Sequence, residues 1–293
     1  MKILVTGANG QVGHCLQQQL HKNGWDFVAL TRAELDISNA PAVDAAIAHI
    51  QPDVIINAAA YTAVDKAEQE QELAYAINRD GPANLARAAK NSGAAILHIS
   101  TDYVFAGDAA DTYSEDDATS PQGVYGKSKL EGEQAVAAAN DKHIILRTAW
   151  VFGEHGNNFV KTMIRLGSSR DTLGIVADQE GGPTYAGDIA GALLSIVKHY
   201  VAGNPTSWGI YHYSGAPHIS WFGFAQQIFT EVAQAELYNK AVPQLNAITT
   251  ADYPTPAKRP ANSKLNCDKI AQAFGISPSD WQSALKNIGA YSA

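Results

Sequence analysis

The stretch KILVTGANGQVG, residues 2–13, decides the fold of this chain. An apolar strand pattern runs directly into Gly7, Gly10 and Gly13, and a helical pattern follows. Glycine at this spacing permits a tight turn, close approach of the backbone to a pyrophosphate, and close packing of helix on strand. The N–H groups that begin such a helix attract phosphate. The stretch therefore predicts a dinucleotide site, with a plain strand-to-helix turn as the alternative.

Strand and helix patterns alternate through the first half of the chain. Strands are predicted over 2–7, 25–30, 53–59, 95–101 and 143–152. Their apolar runs lack polar alternation, which is typical of strands covered on both faces. We therefore expect an α/β fold with a doubly wound parallel sheet of the Rossmann type, whose ligand crevice lies beyond the carboxyl ends of the strands.

The sequence changes character after about residue 153. Helical patterns cover 156–167 and 186–203, strands are predicted over 172–178 and 209–215, and the proline-rich stretch 252–265 excludes a regular helix. We expect a dinucleotide-binding domain over 1–152 and a smaller α/β substrate lobe formed mainly by 153–293. Some segments of the second part are expected to return to the first domain.

Composition excludes several classes of protein. Hydrophobic residues make up 46% and charged residues 17%, as in globular proteins, and the net charge of -8 without a basic run argues against a nucleic-acid surface. No apolar run is long enough to span a bilayer and no signal peptide is evident, so we expect a cytoplasmic protein. The two cysteines, Cys15 and Cys267, lack metal-site spacing, and no metal is expected.

The end of the second strand bears on the choice of cofactor. A carboxylate there would bind a ribose 2′-hydroxyl, whereas an arginine accepts a 2′-phosphate. Arg32 lies at the right distance, which favours NADPH with NADH tolerated, although Glu34 is near and a solvated arginine is the alternative. Asp36 and Ile37 are expected to flank the adenine, the first by a hydrogen bond and the second by packing.

The stretch SPQGVYGKSKLEGE, residues 120–133, places Tyr125 and Lys129 on one face of a helix. A tyrosine pKa of about 10 falls by roughly 1–3 units beside a cation, which would make Tyr125 an acid–base group tuned by Lys129. Lys129 would also bond the nicotinamide ribose. Thr101 ends a strand and would donate a hydrogen bond to a substrate carbonyl. The alternatives are exposed helix residues and a loop cap.

These residues in this order resemble the extended short-chain dehydrogenase/reductase family. More specific runs resemble the branch of that family that reduces the C4 ketone of dTDP-4-dehydro-β-L-rhamnose to dTDP-L-rhamnose. Those runs span nearly the whole chain and lie at 57–68, 100–107, 120–133, 146–153, 156–163 and 253–265.

The resemblance implies a role for each matching position. Hydride would come from a nicotinamide and the proton from Tyr125, with Lys129 as its tuner and Thr101 polarising the carbonyl. A homodimer is compatible with the resemblance, but the sequence does not reveal the oligomeric state. The remaining positions are Gly10, Gln11 and Val12 at the pyrophosphate, Asp36 and Ile37 at the adenine, Ala60, Tyr61 and Thr62 along the cofactor's inner edge, and Thr101, Asp102 and Trp150 at the sugar.

The substrate's apolar sugar face and its diphosphate call for different side chains. Trp150 would cover the sugar face, with core packing as the alternative. Arg259, with Lys258, would bind the diphosphate, and Asn262 and Ser263 would donate hydrogen bonds to it. A solvated Arg259 is equally compatible with the sequence.

A sugar-nucleotide epimerase or dehydratase would share the fold, the glycines and the tyrosine–lysine pair. A sugar-nucleotide dehydratase usually carries two adjacent acids after the threonine, but here Tyr103 follows Asp102. An epimerase or a dehydratase would retain its NAD, whereas a reductase exchanges its cofactor at every turnover. A catalytically silent regulatory subunit would tend to lose Tyr125 or Lys129, and this chain has both.

Overall fold

The computed structural model describes residues 1–292. The strands are β1 (Lys2–Thr6), β2 (Asp26–Leu30), β3 (Val54–Asn57), β4 (Ala95–Thr101), β5 (His143–Thr148), β6 (Val151–Phe152), β7 (Thr172–Val176), β8 (Glu180–Gly181), β9 (Thr184–Tyr185), β10 (Gly209–His212), β11 (Ile219–Ser220), β12 (Gln244–Ile248) and β13 (Asn262–Ser263). The α-helices are α1 (Gln11–Lys22), α2 (Ala40–Ile50), α3 (Val64–Ala67), α4 (Gln71–Tyr75), α5 (Gly81–Ser92), α6 (Val124–Ala139), α7 (Phe159–Ser169), α8 (Ala186–Val201), α9 (Trp221–Gln234), α10 (Asp268–Phe274) and α11 (Trp281–Leu285). A π-helical segment, Ala76–Asp80, joins α4 to α5, and 3₁₀ turns lie at Asp102–Val104, Thr250–Asp252 and Ile288–Tyr291.

A six-stranded parallel sheet in the order β10-β5-β4-β3-β1-β2 forms the centre of the molecule. Successive residues of β1 point to opposite faces: Ile3 and Val5 pack with α1 and α8, and Leu4 packs with α2 and α5. Both faces are therefore covered, which explains why the strands read as unbroken apolar runs. The predicted doubly wound α/β class is confirmed.

A second hydrophobic core lies among α7, α9 and α11. Its members include Phe152, Met163, Phe224 and Trp281, and none of them belongs to the six-stranded sheet. In contrast, β10 pairs with β5 although it comes from the later part of the chain. The division into domains at residues 152 and 153 remains a prediction.

The predicted strand over 143–152 is wrong in its middle. It divides into β5 and β6, because Trp150 between them has a φ of 49°. A left-handed backbone at a bulky residue cannot continue a strand. The turn aims the Trp150 side chain toward the second core.

None of the helices in residues 1–292 combines the length and apolar character needed to cross a bilayer. Within the same residues, no three His, Cys, Asp or Glu side chains are grouped as metal ligands would be. The expectation that the protein uses no metal remains a prediction.

Candidate active site

The glycine turn between β1 and α1 is tightly packed at two of its three glycines. Gly7 has a φ of 74°, and a Cβ at Gly13 would lie 2.1 Å from the Gly7 carbonyl oxygen. A Cβ at Gly10 would meet only that same oxygen, at 3.3 Å. Gly7 and Gly13 are thus required by the fold itself. Gly10 is not, so its lack of a side chain is best explained by a group approaching from outside.

The N-terminus of α1 is suited to an anion. Its N-cap, Gly10, supplies no side-chain hydrogen bond to the first turn, so the N–H groups there are available to a phosphate. The Gln11 side chain is turned toward the loop before α7, where its Oε1 accepts from Asn158 Nδ2 at 3.0 Å. The Val12 side chain is buried beneath the turn. Gln11 and Val12 could therefore contact a pyrophosphate mainly through their backbone.

Arg32 lies just after β2 and is exposed, and within residues 1–292 it has no hydrogen bond or ion pair. The Glu34 carboxylate is engaged elsewhere, since its Oε2 accepts from both N and Oγ1 of Thr31 at 2.8 Å. These bonds lower the pKa of Glu34. At this strand end, therefore, the guanidinium is the freer of the two groups.

The two residues expected at the adenine, Asp36 and Ile37, differ in their hydrogen bonds and burial. Asp36 Oδ1 accepts from N and Oγ of Ser38 at 3.0 and 2.7 Å, and the Ser38 hydroxyl is the main cause of its lowered pKa. Ile37 is only 4% exposed, and a Cβ at Gly81 would lie 2.5 Å from its Cδ1. The Ile37 side chain is thus part of the core, and its contact with the adenine remains a prediction.

The loop after β3 contains Ala60, Tyr61 and Thr62 and is clamped by one residue that the sequence analysis missed. Asn78 accepts from the Tyr61 N–H at 2.8 Å and donates to the Tyr61 carbonyl at 3.1 Å. The same amide donates to Ser128 Oγ at 3.1 Å. Asn78 thereby fixes this loop to α6. No local sequence signal marks it, because its partners come from two distant segments.

Tyr125 and Lys129 lie one turn apart on α6. Tyr125 is half-buried and packs edge-on to Tyr103, with ring centroids 5.4 Å apart. Lys129 is 2% exposed, and its Nζ donates to the Ile99 carbonyl at 2.7 Å. Neither is an ordinary exposed helix residue, so that alternative is excluded.

The expected lowering of the Tyr125 pKa is not what the structure gives. Burial raises the pKa of Tyr125 well above 10, and the nearby Thr101 hydroxyl opposes the rise only in part. Burial also lowers the pKa of Lys129 to about 8, with Glu133 opposing. Desolvation penalises both charged forms and is the largest cause of each pKa shift.

Thr101 and Asp102 lie at the carboxyl end of β4, and both are buried. Thr101 Oγ1 donates to Asp102 Oδ1 at 3.1 Å and also accepts from the Tyr103 N–H at 3.2 Å, so it caps the following turn as well. Ser263 donates to Asp102 Oδ2 at 2.5 Å. Burial raises the pKa of Asp102 to about 6.

Trp150 takes part in packing to a greater extent than expected. Its ring stacks on Trp221 with centroids 3.5 Å apart and 9° between the planes. A Cβ at Gly181 would lie 2.6 Å from Trp150 Cε2, so the Gly181 backbone also packs against the ring. Trp150 is half-buried, and only the remaining part of its surface is open to a ligand.

The proline-rich segment 253–265 folds back over the end of the sheet. Arg259 is paired with Asp65 of α3, and Lys258 is exposed. Asn262 donates to the carbonyls of Ala109 and Asp111, and Ser263 donates to Asp102. Asn262 and Ser263 are therefore not the expected diphosphate donors, because their donors are already engaged. Lys258 and Arg259 line a cavity of about 620 Å³, together with Asp108, Asp178 and Tyr253.

Comparison with known proteins assigns the family. A family profile described as "RmlD substrate binding domain" matches residues 1–292. A dTDP-4-dehydrorhamnose reductase of Aggregatibacter actinomycetemcomitans is 56% identical over 292 residues, covering 99% of both chains. The chain belongs to the dTDP-4-dehydrorhamnose reductase family. It is therefore an enzyme, an oxidoreductase, and the resemblance drawn from the sequence motifs is confirmed.

Solved structures agree with this family assignment. A dTDP-4-dehydrorhamnose reductase from Clostridium acetobutylicum superposes with a TM-score of 0.91 at 42% identity, covering 98% of each chain. The corresponding reductase of Bacillus anthracis, solved in complex with NADP, gives a TM-score of 0.89 at 38% identity, again covering 98% of each chain. The likeness thus extends over the whole fold of a dTDP-4-dehydrorhamnose reductase.

Proposed function

We propose that this chain reduces the C4 ketone of dTDP-4-dehydro-β-L-rhamnose to dTDP-L-rhamnose with NADPH. The observation that carries the proposal is the placement of Thr101, Tyr125 and Lys129 at the carboxyl end of β4 and the first turns of α6. That is the edge of the sheet at which the glycine turn also lies. A full-length match to reductases of this name supports the same substrate.

The residues at the glycine turn fit a dinucleotide. Gly10 leaves open the space that a side chain would fill, and the first turn of α1 offers its N–H groups. Arg32, which makes no hydrogen bond or ion pair among the described residues, is proposed to bind the 2′-phosphate of NADPH, and the relative solved with NADP supports this cofactor. When bound, the nicotinamide supplies the hydride. The loop of Ala60, Tyr61 and Thr62 is proposed to line the cofactor's inner edge, with Lys129 bonding the ribose.

Tyr125 is proposed to donate the proton to the new C4 alkoxide. Its raised pKa keeps the phenol protonated at neutral pH, which is the form that a proton donor must have at the start of a reduction. An alkoxide is a far stronger base than a phenolate, so the transfer is downhill even from a phenol of raised pKa. Thr101 is proposed to hydrogen-bond the same oxygen by turning its hydroxyl away from Asp102, to which it donates in this structure. Lys129 then stabilises the phenolate that remains.

The substrate is proposed to lie between the end of β4 and the segment 253–265. Asp102 and the open part of the Trp150 ring would contact the sugar, and Arg259 would bind the diphosphate. We also propose that residues 1–152 mainly bind the cofactor and that residues 153–293 mainly bind the substrate. Helix α8 and strand β10 return to the first part. Homodimer formation and a cytoplasmic location remain predictions.

The deciding experiment follows NADPH oxidation, by the absorbance of the reduced nicotinamide, with a panel of nucleotide-linked 4-ketosugars. We expect the highest kcat/KM with dTDP-4-dehydro-β-L-rhamnose and release of the cofactor during purification. Tightly retained NAD with no net oxidation would instead indicate an epimerase or a dehydratase. Cofactor binding without turnover of any sugar would indicate a silent subunit.

A further inference from the structure

A buried row of polar side chains on three neighbouring strands leads across the sheet to Lys129. Thr6 ends β1, Asn57 ends β3 and His98 lies in β4, and all three are buried. Asn57 Nδ2 lies 2.9 Å from His98 Nδ1, and His98 Nε2 lies 3.4 Å from Lys129 Nζ. Of these residues, the proposed reaction uses only Lys129, at the end of the row. Burying the polar groups of Thr6, Asn57 and His98 costs free energy unless they are hydrogen-bonded, so the direction of each hydrogen bond can be worked out.

A backbone group fixes the orientation of the Asn57 amide. The Ala59 N–H donates to Asn57 Oδ1 at 3.1 Å, and Thr6 Oγ1 donates to the same oxygen at 2.7 Å. Turning the amide over would set its NH2 group against the Ala59 N–H, where no hydrogen bond can form. The NH2 group therefore faces His98, and His98 Nδ1 must be the accepting, unprotonated nitrogen.

The proton of the neutral His98 ring then lies on Nε2, the nitrogen that faces Lys129. A doubly protonated ring would place a second N–H against the Asn57 NH2 group. Burial and the neighbouring Lys129 also hold the pKa of His98 well below 6.5. Lys129 Nζ already donates to the Ile99 carbonyl. An ammonium has no lone pair to accept the His98 N–H, whereas a neutral amine has one.

We propose that Asn57 and His98 form a tautomer lock, in which His98 presents an N–H to Lys129 and thereby makes the Lys129 ammonium easier to deprotonate. Both are positioning residues that act on the reaction through Lys129, and their use in catalysis rests on the proposed function. The opposing group is Glu133 on α6, whose carboxylate is engaged by Arg147 with Nη2 to Oε2 at 2.7 Å. Tyr125, on the same helix, is held in its neutral form by burial. The lock therefore sets the pH at which Lys129 changes charge.

The lock is tested by ¹⁵N NMR of the histidine rings in the whole protein without cofactor or sugar. We expect His98 to show an unprotonated Nδ1 and a protonated Nε2 across neutral pH. Its signals are assigned by their loss in His98→Gln or, should that variant not fold, by their shift in Lys129→Met. A protonated Nδ1, or a ring that titrates near neutral pH, would overturn the proposal. This readout needs no activity, so it stands apart from the assignment of the substrate.

Asn57→Asp tests whether the lock acts on Lys129. A carboxylate at residue 57 accepts from His98 Nδ1, so Nε2 should lose its proton and offer Lys129 a lone pair. We expect the tautomer to reverse, and the Lys129 pKa, followed by ¹³Cε NMR, to rise by about 1 or more. Asn78→Asp is the matched control, because it adds a buried carboxylate that can accept from the Tyr61 N–H and does not contact His98. The same upward shift in the control, or an unchanged tautomer in Asn57→Asp, would contradict a lock.

Discussion

The Arg259 guanidinium is ion-paired with Asp65, its Nη2 lying 2.6 Å from the carboxylate Oδ2. The same carboxylate accepts from the Ala257 N–H at 3.2 Å through Oδ1. One acid in α3 thus holds both the backbone and the cation of the segment 253–265. The pair with Asp65 orients the guanidinium and leaves its other N–H groups available to an anion such as the substrate diphosphate.

If Arg259 binds the substrate diphosphate, Arg259→Ala should raise KM for the sugar nucleotide by about tenfold or more, with a much smaller change in kcat. Lys258→Ala is the matched control, since Lys258 is the neighbouring cation and is exposed. Steady-state kinetics with the sugar varied measures both. Equal effects of the two variants would mean that Arg259 contributes only general positive charge.

Removal of the Tyr125 hydroxyl tests its role as proton donor. Tyr125→Phe should lower kcat by roughly 10²–10⁴-fold, which is the usual contribution of a general acid. NADPH affinity, measured by fluorescence titration, should stay within about twofold, because the ring and its packing on Tyr103 remain. Tyr103→Phe serves as the control for loss of a nearby hydroxyl. Wild-type turnover in Tyr125→Phe would remove Tyr125 from the chemistry.

Arg32 is expected to determine the preference for NADPH. Arg32→Ala should raise the KM for NADPH by about tenfold and leave the KM for NADH nearly unchanged, because only NADPH carries the 2′-phosphate. The same comparison with Glu34→Gln should show little effect on either cofactor, since the Glu34 carboxylate is bonded to Thr31. Equal losses for both cofactors in Arg32→Ala would show that the guanidinium does not meet the phosphate.

Two glycines of the turn should respond differently to alanine. Gly13→Ala should destabilise the protein by about 3 kcal/mol or more, because its Cβ would overlap the Gly7 carbonyl. Gly10→Ala should fold normally, yet bind NADPH at least about tenfold more weakly, because its methyl group occupies the surface offered to the pyrophosphate. Urea unfolding and cofactor titration separate the two effects. Gly289→Ala, with no atom within 4 Å of its added Cβ, is the neutral control.

Asp102 should make stability fall as pH rises. Its pKa is about 6 in the folded protein and about 3.9 when unfolded, so the folded state binds more protons between these values. Its contribution is therefore most favourable below about pH 4 and is lost by pH 6 to 7, up to about 3 kcal/mol in all. Asp102→Asn should remove this slope from the pH dependence of unfolding. An unchanged slope would assign it to other groups.

The sequence was most informative where structure depends on neighbours along the chain. The glycine spacing in residues 7–13, the apolar strands and the four-residue step from Tyr125 to Lys129 are local patterns. They were enough for the fold class and for locating the residues proposed as catalytic. The predicted strand over 143–152 is interrupted at Trp150, which has a left-handed backbone and a ring stacked on Trp221, a residue distant in sequence.

The sequence by itself determined the doubly wound sheet and the glycine turn, since periodicity and spacing are properties of consecutive residues, and its longer motifs indicated the family by resemblance. Only the tertiary structure decided the direction of the Tyr125 pKa, the burial of Lys129 beside His98, and the pairing of Arg259 with Asp65. Each of these depends on groups brought together from separate segments. A pKa is the balance between desolvation and every nearby charge and hydrogen bond, and that balance exists only once the chain has folded.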